Sequence, residues 1–231
     1  MVRRGVLLAL AGVFWILGVT ALYRNLEASA VDQENGDKTT AETINFYFPF
    51  TIPGTNLVAL EIKGYEGLYF EDGTKEEVTN VAALVLLNDG TGLVEKACVE
   101  LWNGNEKLCF DLDYLPAGEK ILVLESNRKK YLPNMIFGCA GSETLAQTDL
   151  SGLVTTREIN SKSLSIMNAG TIPLRNLRVY FKNYDPENKI FLGGIVYEIC
   201  IYHIAPGETY IAQPQYYFGG FSRIVNIKTS G

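Results

Sequence analysis

One phrase is written twice in this chain, eighty residues apart. Ala83–Val94 reads ALVLLNDGTGLV, and Ser163–Leu174 reads SLSIMNAGTIPL. Each is an apolar run, then Asn-x-Gly-Thr, then an apolar restart. With Asn88 set on Asn168, Gly90 falls on Gly170, Thr91 on Thr171, Val94 on Leu174, Val99 on Val179 and Leu101 on Phe181. A second echo follows: LPAGEKILVL (Leu115–Leu124) matches IAPGETYIAQ (Ile204–Gln213), with Gly118-Glu119 on Gly207-Glu208. This shift is eighty-nine, so the second copy holds nine more residues between its landmarks. They are expected around Asn183–Gly194, a stretch full of turn formers. Near the ends, Met135-Ile136 is set on Ile224-Val225.

Each landmark has a mechanical reading. Asn-x-Gly supplies residues that tolerate positive φ, so the chain can reverse there. The Pro of the second echo sits where no ladder donor is needed. Short alternating strands with turn signals about every ten residues predict an antiparallel sandwich or barrel. No convincing 3.6-residue period follows residue 31. Tyr (13), Phe (11) and Gly (22) are abundant, which suits strands and turns. A net charge of −6 disfavours nucleic acid as a partner, because that binding runs on Lys and Arg neutralising phosphates.

The combined phrase resembles bacterial immunoglobulin-like repeats of the cell-adhesion-related type. It is carried by Leu84 to Leu124 and by Leu164 to Ile211, about half of each expected domain. The resemblance implies two tandem Ig-like β-sandwiches that act as spacers or binding modules, and it brings no catalytic residues. The expected division is an anchor or signal peptide at 1–30, a linker at 31–43, one sandwich at 44–141 and a second at 142–231. The joint is expected within Gly141–Gly152.

Arg3 and Arg4 precede nineteen uncharged residues, Gly5 to Tyr23. As a helix these rise ~28 Å, close to the hydrocarbon thickness of a bilayer. Basic residues before the span place the N-terminus in the cytoplasm and the bulk outside. The rival reading is cleavage after Ala30, since Ala28-Ser29-Ala30 is an A-x-A site. Both readings export residues 31–231. The span also resembles short N-terminal anchors of Gram-positive envelope proteins. The polar stretch Val31–Thr43 reads as a flexible spacer.

Four cysteines are present: Cys98, Cys109, Cys139 and Cys200. Asn103-Gly104 is a hairpin signal. A turn centred there sets Trp102 on Asn105, Glu100 on Lys107, Val99 on Leu108 and Cys98 on Cys109. In that register two readings stand, a Cys98–Cys109 disulfide or two thiols on one sheet face. A Cys139–Cys200 bond would join the two copies. Zinc is disfavoured, because no C-x-x-C occurs and the only histidine, His203, is remote.

His203 has no nucleophile setting around it. Asp111 and Asp113 share a strand face, as exposed carboxylates opposite lysines or as an acid or cation site. NDGTG lacks EF-hand spacing and the Walker lysine. YLPNM is not a sorting signal of the Leu-Pro-x-Thr-Gly kind. No catalytic, cofactor-binding or metal-binding residue is assigned, and no cofactor is expected. Aromatic residues cluster in Ile44–Phe50, Gly64–Phe70 and Gln213–Phe221. Exposed tyrosines suit recognition surfaces, and Tyr216 and Tyr217 are the first candidates for one facing a protein or glycan partner. The expectation is a single-pass, membrane-anchored, extracytoplasmic binding or scaffolding protein of the cell envelope. The alternatives are an accessory subunit of a membrane, secretion or surface-assembly complex, and a carbohydrate-active enzyme.

Overall fold

Alternation and turn chemistry give strands throughout the part that the computed structural model describes, residues 46–73, 76–103, 105–133 and 136–230. The expected anchor at Gly5–Tyr23, the A-x-A site and the spacer at 31–43 lie outside the described residues. In chain order the strands are β1 (Phe50–Thr51), β2 (Leu57–Leu68), β3 (Glu77–Asn88), β4 (Val94–Asn103), β5 (Glu106–Leu115), β6 (Lys120–Leu124) and β7 (Ile136–Leu145). There follow β8 (Val154–Asn160), β9 (Ser163–Asn168), β10 (Leu174–Asp185), β11 (Ile190–Ile204), β12 (Thr209–Ala212) and β13 (Ser222–Thr229). The fold is all-β, and among the described residues there is no helix.

Strand order repeats. In the first half β2-β3-β6 are neighbours and so are β5-β4-β7; in the second half the orders are β8-β9-β12 and β11-β10-β13. In each half the two layers close on a core of inward-facing residues, an arrangement compatible with a β-sandwich. The first core sets Leu57, Leu84, Leu86, Ile121 and Val123 against Val99, Leu101, Leu108, Phe110 and Ile136. The second sets Val154, Leu164, Ile166 and Ala212 against Val179, Phe181, Ile199, Ile201 and Ile227. Strand β3 is buried on both faces from Val81 to Leu86. Ala82, Leu84 and Leu86 enter the first core, while Val81 and Ala83 meet Tyr69 and Leu124 behind it. That is why its sequence runs apolar without alternating.

The Asn-x-Gly landmarks work through the side chain. Asn88 donates to Gly92 O (2.8 Å) and Leu115 O (2.9 Å), and its Oδ1 accepts from Gly90 N (3.0 Å). Asn168 donates to Ile172 O (2.8 Å) and Ile204 O (3.1 Å), and its Oδ1 accepts from Gly170 N (3.0 Å). Both asparagines are fully buried. None of Asn88, Gly90, Asn168 and Gly170 has positive φ, contrary to expectation. Among the aligned landmarks the left-handed residues are Gly118 and Gly207, each at φ 73°. Their N–H groups donate to Asn88 O and Asn168 O at 2.8 Å in both cases. The reversal is therefore tied down by a buried amide, which satisfies carbonyls that would otherwise be orphaned.

Register confirms part of the alignment and corrects part. Leu86 pairs with Ile121 as Ile166 pairs with Tyr210, and Val94 with Leu115 as Leu174 with Ile204. At the ends, Val99 pairs with Gly141 and Val179 with Ile227, a shift of eighty-six. Asn103 pairs with Ile136 and Asn183 with Ser222, again eighty-six, so Ile136 falls on Ser222 and not on Val225, because the second copy is three residues shorter between Tyr210 and Ser222 than the first between Ile121 and Ile136. The residue pair 141–142 falls inside β7, which continues to Leu145, and both strand sets belong to one compact unit.

The first hairpin also differs from expectation. Asn103 pairs with Glu106, Trp102 with Lys107, Glu100 with Cys109 and Cys98 with Asp111. Asn103 is the last strand residue rather than the first loop residue, because its buried side chain turns inward to donate to Leu132 O (2.7 Å). Cys98 and Cys109 thus lie diagonally on one face, ~7–8 Å apart for such neighbours. Disulfides span Cα distances of about 4.4–6.8 Å. All four cysteines are free.

Candidate functional site

The nine additional residues of the second copy build the place where the two strand sets meet. Asn103 and Glu106 of the first hairpin correspond to Asn183 and Ile195 of the second. Between them stand residues 184–194, where the first copy has only 104–105. The lengthened hairpin turns on Asp185, whose Oδ1 accepts from Glu187 N (2.9 Å). It carries β11 alongside β6, where Phe191 pairs with Ile121 and Leu192 with Leu122 in parallel. This joins the two sets in one seven-stranded sheet, β1-β2-β3-β6-β11-β10-β13.

Beyond that pairing β11 crosses β5 at Gly194. A Cβ there would stand 1.8 Å from Asp111 O, so only glycine fits. Two ionisable groups hold the crossing. Glu71, from the β2–β3 connection, accepts from Leu124 N (2.7 Å) and Gly194 N (2.5 Å). Lys182 of β10 is fully buried and donates to Asp113 O, Gly194 O and Ile195 O, each at 2.8 Å. Burial pushes the Glu71 carboxyl up to about 7, against the backbone N–H groups and the Lys182 charge that pull it down. Burial likewise pulls the Lys182 ammonium down to about 7, opposed by Glu71 and Asp113. Tyr114 stacks on Tyr180 at 4.7 Å, and Lys228 pairs with Glu95 at 2.6 Å beside them.

Above this seam lies a cleft of about 590 Å³. Its floor is the outward face of β4, β5 and β7. Lys96 is flanked there by Asp113 and Thr144, and Cys98 by Asp111 and Ser142. Its walls are Tyr69, Glu71 and Asp72, the Ser126–Arg128 turn, and Gly194-Ile195. Asp111 accepts from Ser126 Oγ at 2.8 Å. Arg128 bridges Asp72 (2.6 Å) and Glu76 (2.5 Å) over the Tyr69 ring. The Cys98 thiol is pushed up to about 11, chiefly by burial and then by its bond to Asp111. It therefore carries its proton at neutral pH in the absence of a metal, and an uncharged thiol is a weak nucleophile. The cleft offers carboxylates, hydroxyls and two cations to a polar ligand. Among the described residues no group of three His, Cys, Asp or Glu is placed to hold a metal ion.

The residues singled out from sequence fare unevenly. Asp111 and Asp113 share a face as expected, and Asp113 is opposite Lys96, but Asp111 is opposite Cys98. His203 is exposed opposite Arg175 and touches no part of the cleft. Tyr217 does not face outward. It is 4% exposed and packs edge-on against Phe181 in the second core. Tyr216 is half-buried, stacked on Tyr197 at 4.8 Å. Residues 214–220 form turns rather than a strand, so in-out alternation gives no guide there. Glu71, Lys182 and the glycines of β11 went unassigned. The signal was present at Lys182, a lone cation in the apolar strand VYFKNY that falls on Trp102 of the first copy. No family model matches this sequence, and no curated protein is similar to it.

Proposed function

We propose that this chain is an envelope protein whose two tandem Ig-like sandwiches are held outside the cell by an anchor at Gly5–Tyr23 and work by contact, without chemistry. The anchor reading rests on the basic-apolar pattern of residues 3–23. The Ig-like reading rests on the repeated strand order and on the matching amide networks of Asn88 and Asn168. The observation that carries the contact role is the second strand set's display of large apolar side chains on a rigidly joined frame. Tyr202 is 84% exposed, Ile211 61%, Ile172 60% and Phe221 58%. Tyr202 and Ile211 are held on strands and Ile172 and Phe221 on the turns that adjoin them, and such side chains supply recognition area at little ordering cost.

The test is protease treatment of intact cells making the full chain. The proposal expects membrane-bound protein whose strand region is removed from outside while the N-terminal peptide stays with the membrane. Protein with a mature N-terminus at Val31 in the medium would overturn the anchor. Protein protected in the cytosol would overturn the whole reading.

A carbohydrate-active enzyme is the second reading, favoured by one observation. Asp111 and Asp113 project two residues apart into the same cleft, and such side chains stand ~7 Å apart along a strand, a separation that suits paired-carboxylate hydrolysis. Asp111→Asn and Asp113→Asn variants that fold but lose the native role would favour it.

A further inference from the structure

The first strand set contains a worked example of a docked edge, and the second contains the same edge uncovered. In the first set the order is β2-β3-β6, and β6 is covered by β11. In the second set the order is β8-β9-β12, and among the described residues β12 ends its sheet. The counterparts are fixed by register, since Leu86 pairs with Ile121 as Ile166 pairs with Tyr210. Ile121 and Leu122, which receive β11, therefore correspond to Tyr210 and Ile211. Ile121 is fully buried, whereas Tyr210 is 44% and Ile211 61% exposed. An uncovered edge strand displays unpaired N–H and C=O groups, and proteins ordinarily blunt such edges by shortness, charge, proline or a bulge. At four residues β12 is short, as is the five-residue β6 that receives β11, but no charge, proline or bulge interrupts Thr209–Ala212.

We propose that the free edge of β12 is a docking site for an extended strand of a partner protein, laid parallel to β12 as β11 is laid on β6. The partner segment carries an aromatic–aliphatic pair, as Phe191-Leu192 does, set beside Tyr210 and Ile211. Main-chain bonds give such strand addition its affinity, and the paired side chains give it selectivity. The proposal rests on the reading of the chain as a contact protein and is independent of the anchor.

The test appends a second copy of residues 183–197 to the C-terminus of the full chain through a flexible Gly/Ser linker. The tether holds the segment near β12 at an effective concentration in the ~mM range. Hydrogen exchange is followed by mass spectrometry in detergent. The expected result is slowing of β12 amide exchange by about tenfold or more, equivalent to ~1.4 kcal/mol of added protection. The slowing should vanish when the appended Phe191 and Leu192 are both replaced by Asp, and when Ile211 of β12 is replaced by Lys. No slowing at β12, or slowing that survives these replacements, overturns the proposal. Concentration-dependent protection of β12 in the untethered chain also overturns it, because a second copy would then be the occupant. Each of these failures leaves the protease test of location unaffected.

Discussion

Asn88 in the first strand set and Asn168 in the second make the same three side-chain hydrogen bonds, to within 0.2 Å. The hairpins that follow them are not alike. The first reverses at once after Asn103, and the second runs on through residues 184–194. The shared part closes two strand layers on a core. The unshared part reaches out and covers the neighbour. A local amide network can thus be copied unchanged while a length difference in one hairpin decides whether two copies hang as beads or stiffen into one sheet. The difference also leaves an asymmetry, since β6 is covered and β12 is not.

Breaking the seam gives the largest expected effect. Lys182→Met removes one ammonium from three buried carbonyls and leaves Glu71 without its charge neighbour. A loss of about 3–5 kcal/mol is expected, read by urea unfolding of the full chain in detergent. The pH dependence sharpens the assignment. Lys182 has a depressed value when folded, so between about 7 and 10.5 the native state binds fewer protons than the unfolded state. Its contribution to stability is lost as pH falls through that window and is present above it. Glu71 has a raised value, so its contribution is present below 4.5 and lost as pH rises towards about 7. Lys182→Met should abolish the first slope, and Glu71→Gln the second.

The cores come next. Tyr217→Ala empties a packed site against Phe181 and should cost about 3 kcal/mol. Tyr216→Ala should cost about 1 kcal/mol, as expected for loss of one stacked, half-buried ring. Equal effects would mean that Tyr217 is not buried against Phe181. Asn88→Ala and Asn168→Ala should each cost about 2–3 kcal/mol, because each leaves buried carbonyls unpaired. The repeat reading requires the two losses to agree. The smallest expected effect is at the free edge. Ile211→Lys should change stability by no more than about 0.5 kcal/mol, as surface changes do. Leu122→Lys, its counterpart under β11, should cost about 2–3 kcal/mol through a charge forced against a covered strand.

The repeat was legible because Asn88 and Asn168 must occupy one place in a turn, and position in sequence carries that directly. The nine-residue surplus was legible as a length, and its role was not. The pairing of Phe191 with Ile121 joins residues seventy apart, and no local pattern encodes it. Glu71 is unmarked in its local sequence for the same reason, since it and Lys182 meet only where β11 crosses β5. The hairpin register differs from the expected one by two residues because Asn103-Gly104 reads as loop, while the Asn103 side chain is needed inside. Tyr217 lies in a turn region, where no in-out alternation tells which way a side chain faces.

The central claim is that the lengthened β10–β11 hairpin makes one cooperative body of two repeated strand sets. Calorimetry of the full chain in detergent tests it directly when residues 184–194 are replaced by Gly-Asn, the loop sequence of the first copy. The native chain should unfold in a single transition and the shortened variant in two, with Asn88→Ala then shifting one of them and Asn168→Ala the other. A shortened variant that still melts as one transition, lowered as a whole by either substitution, would contradict the account.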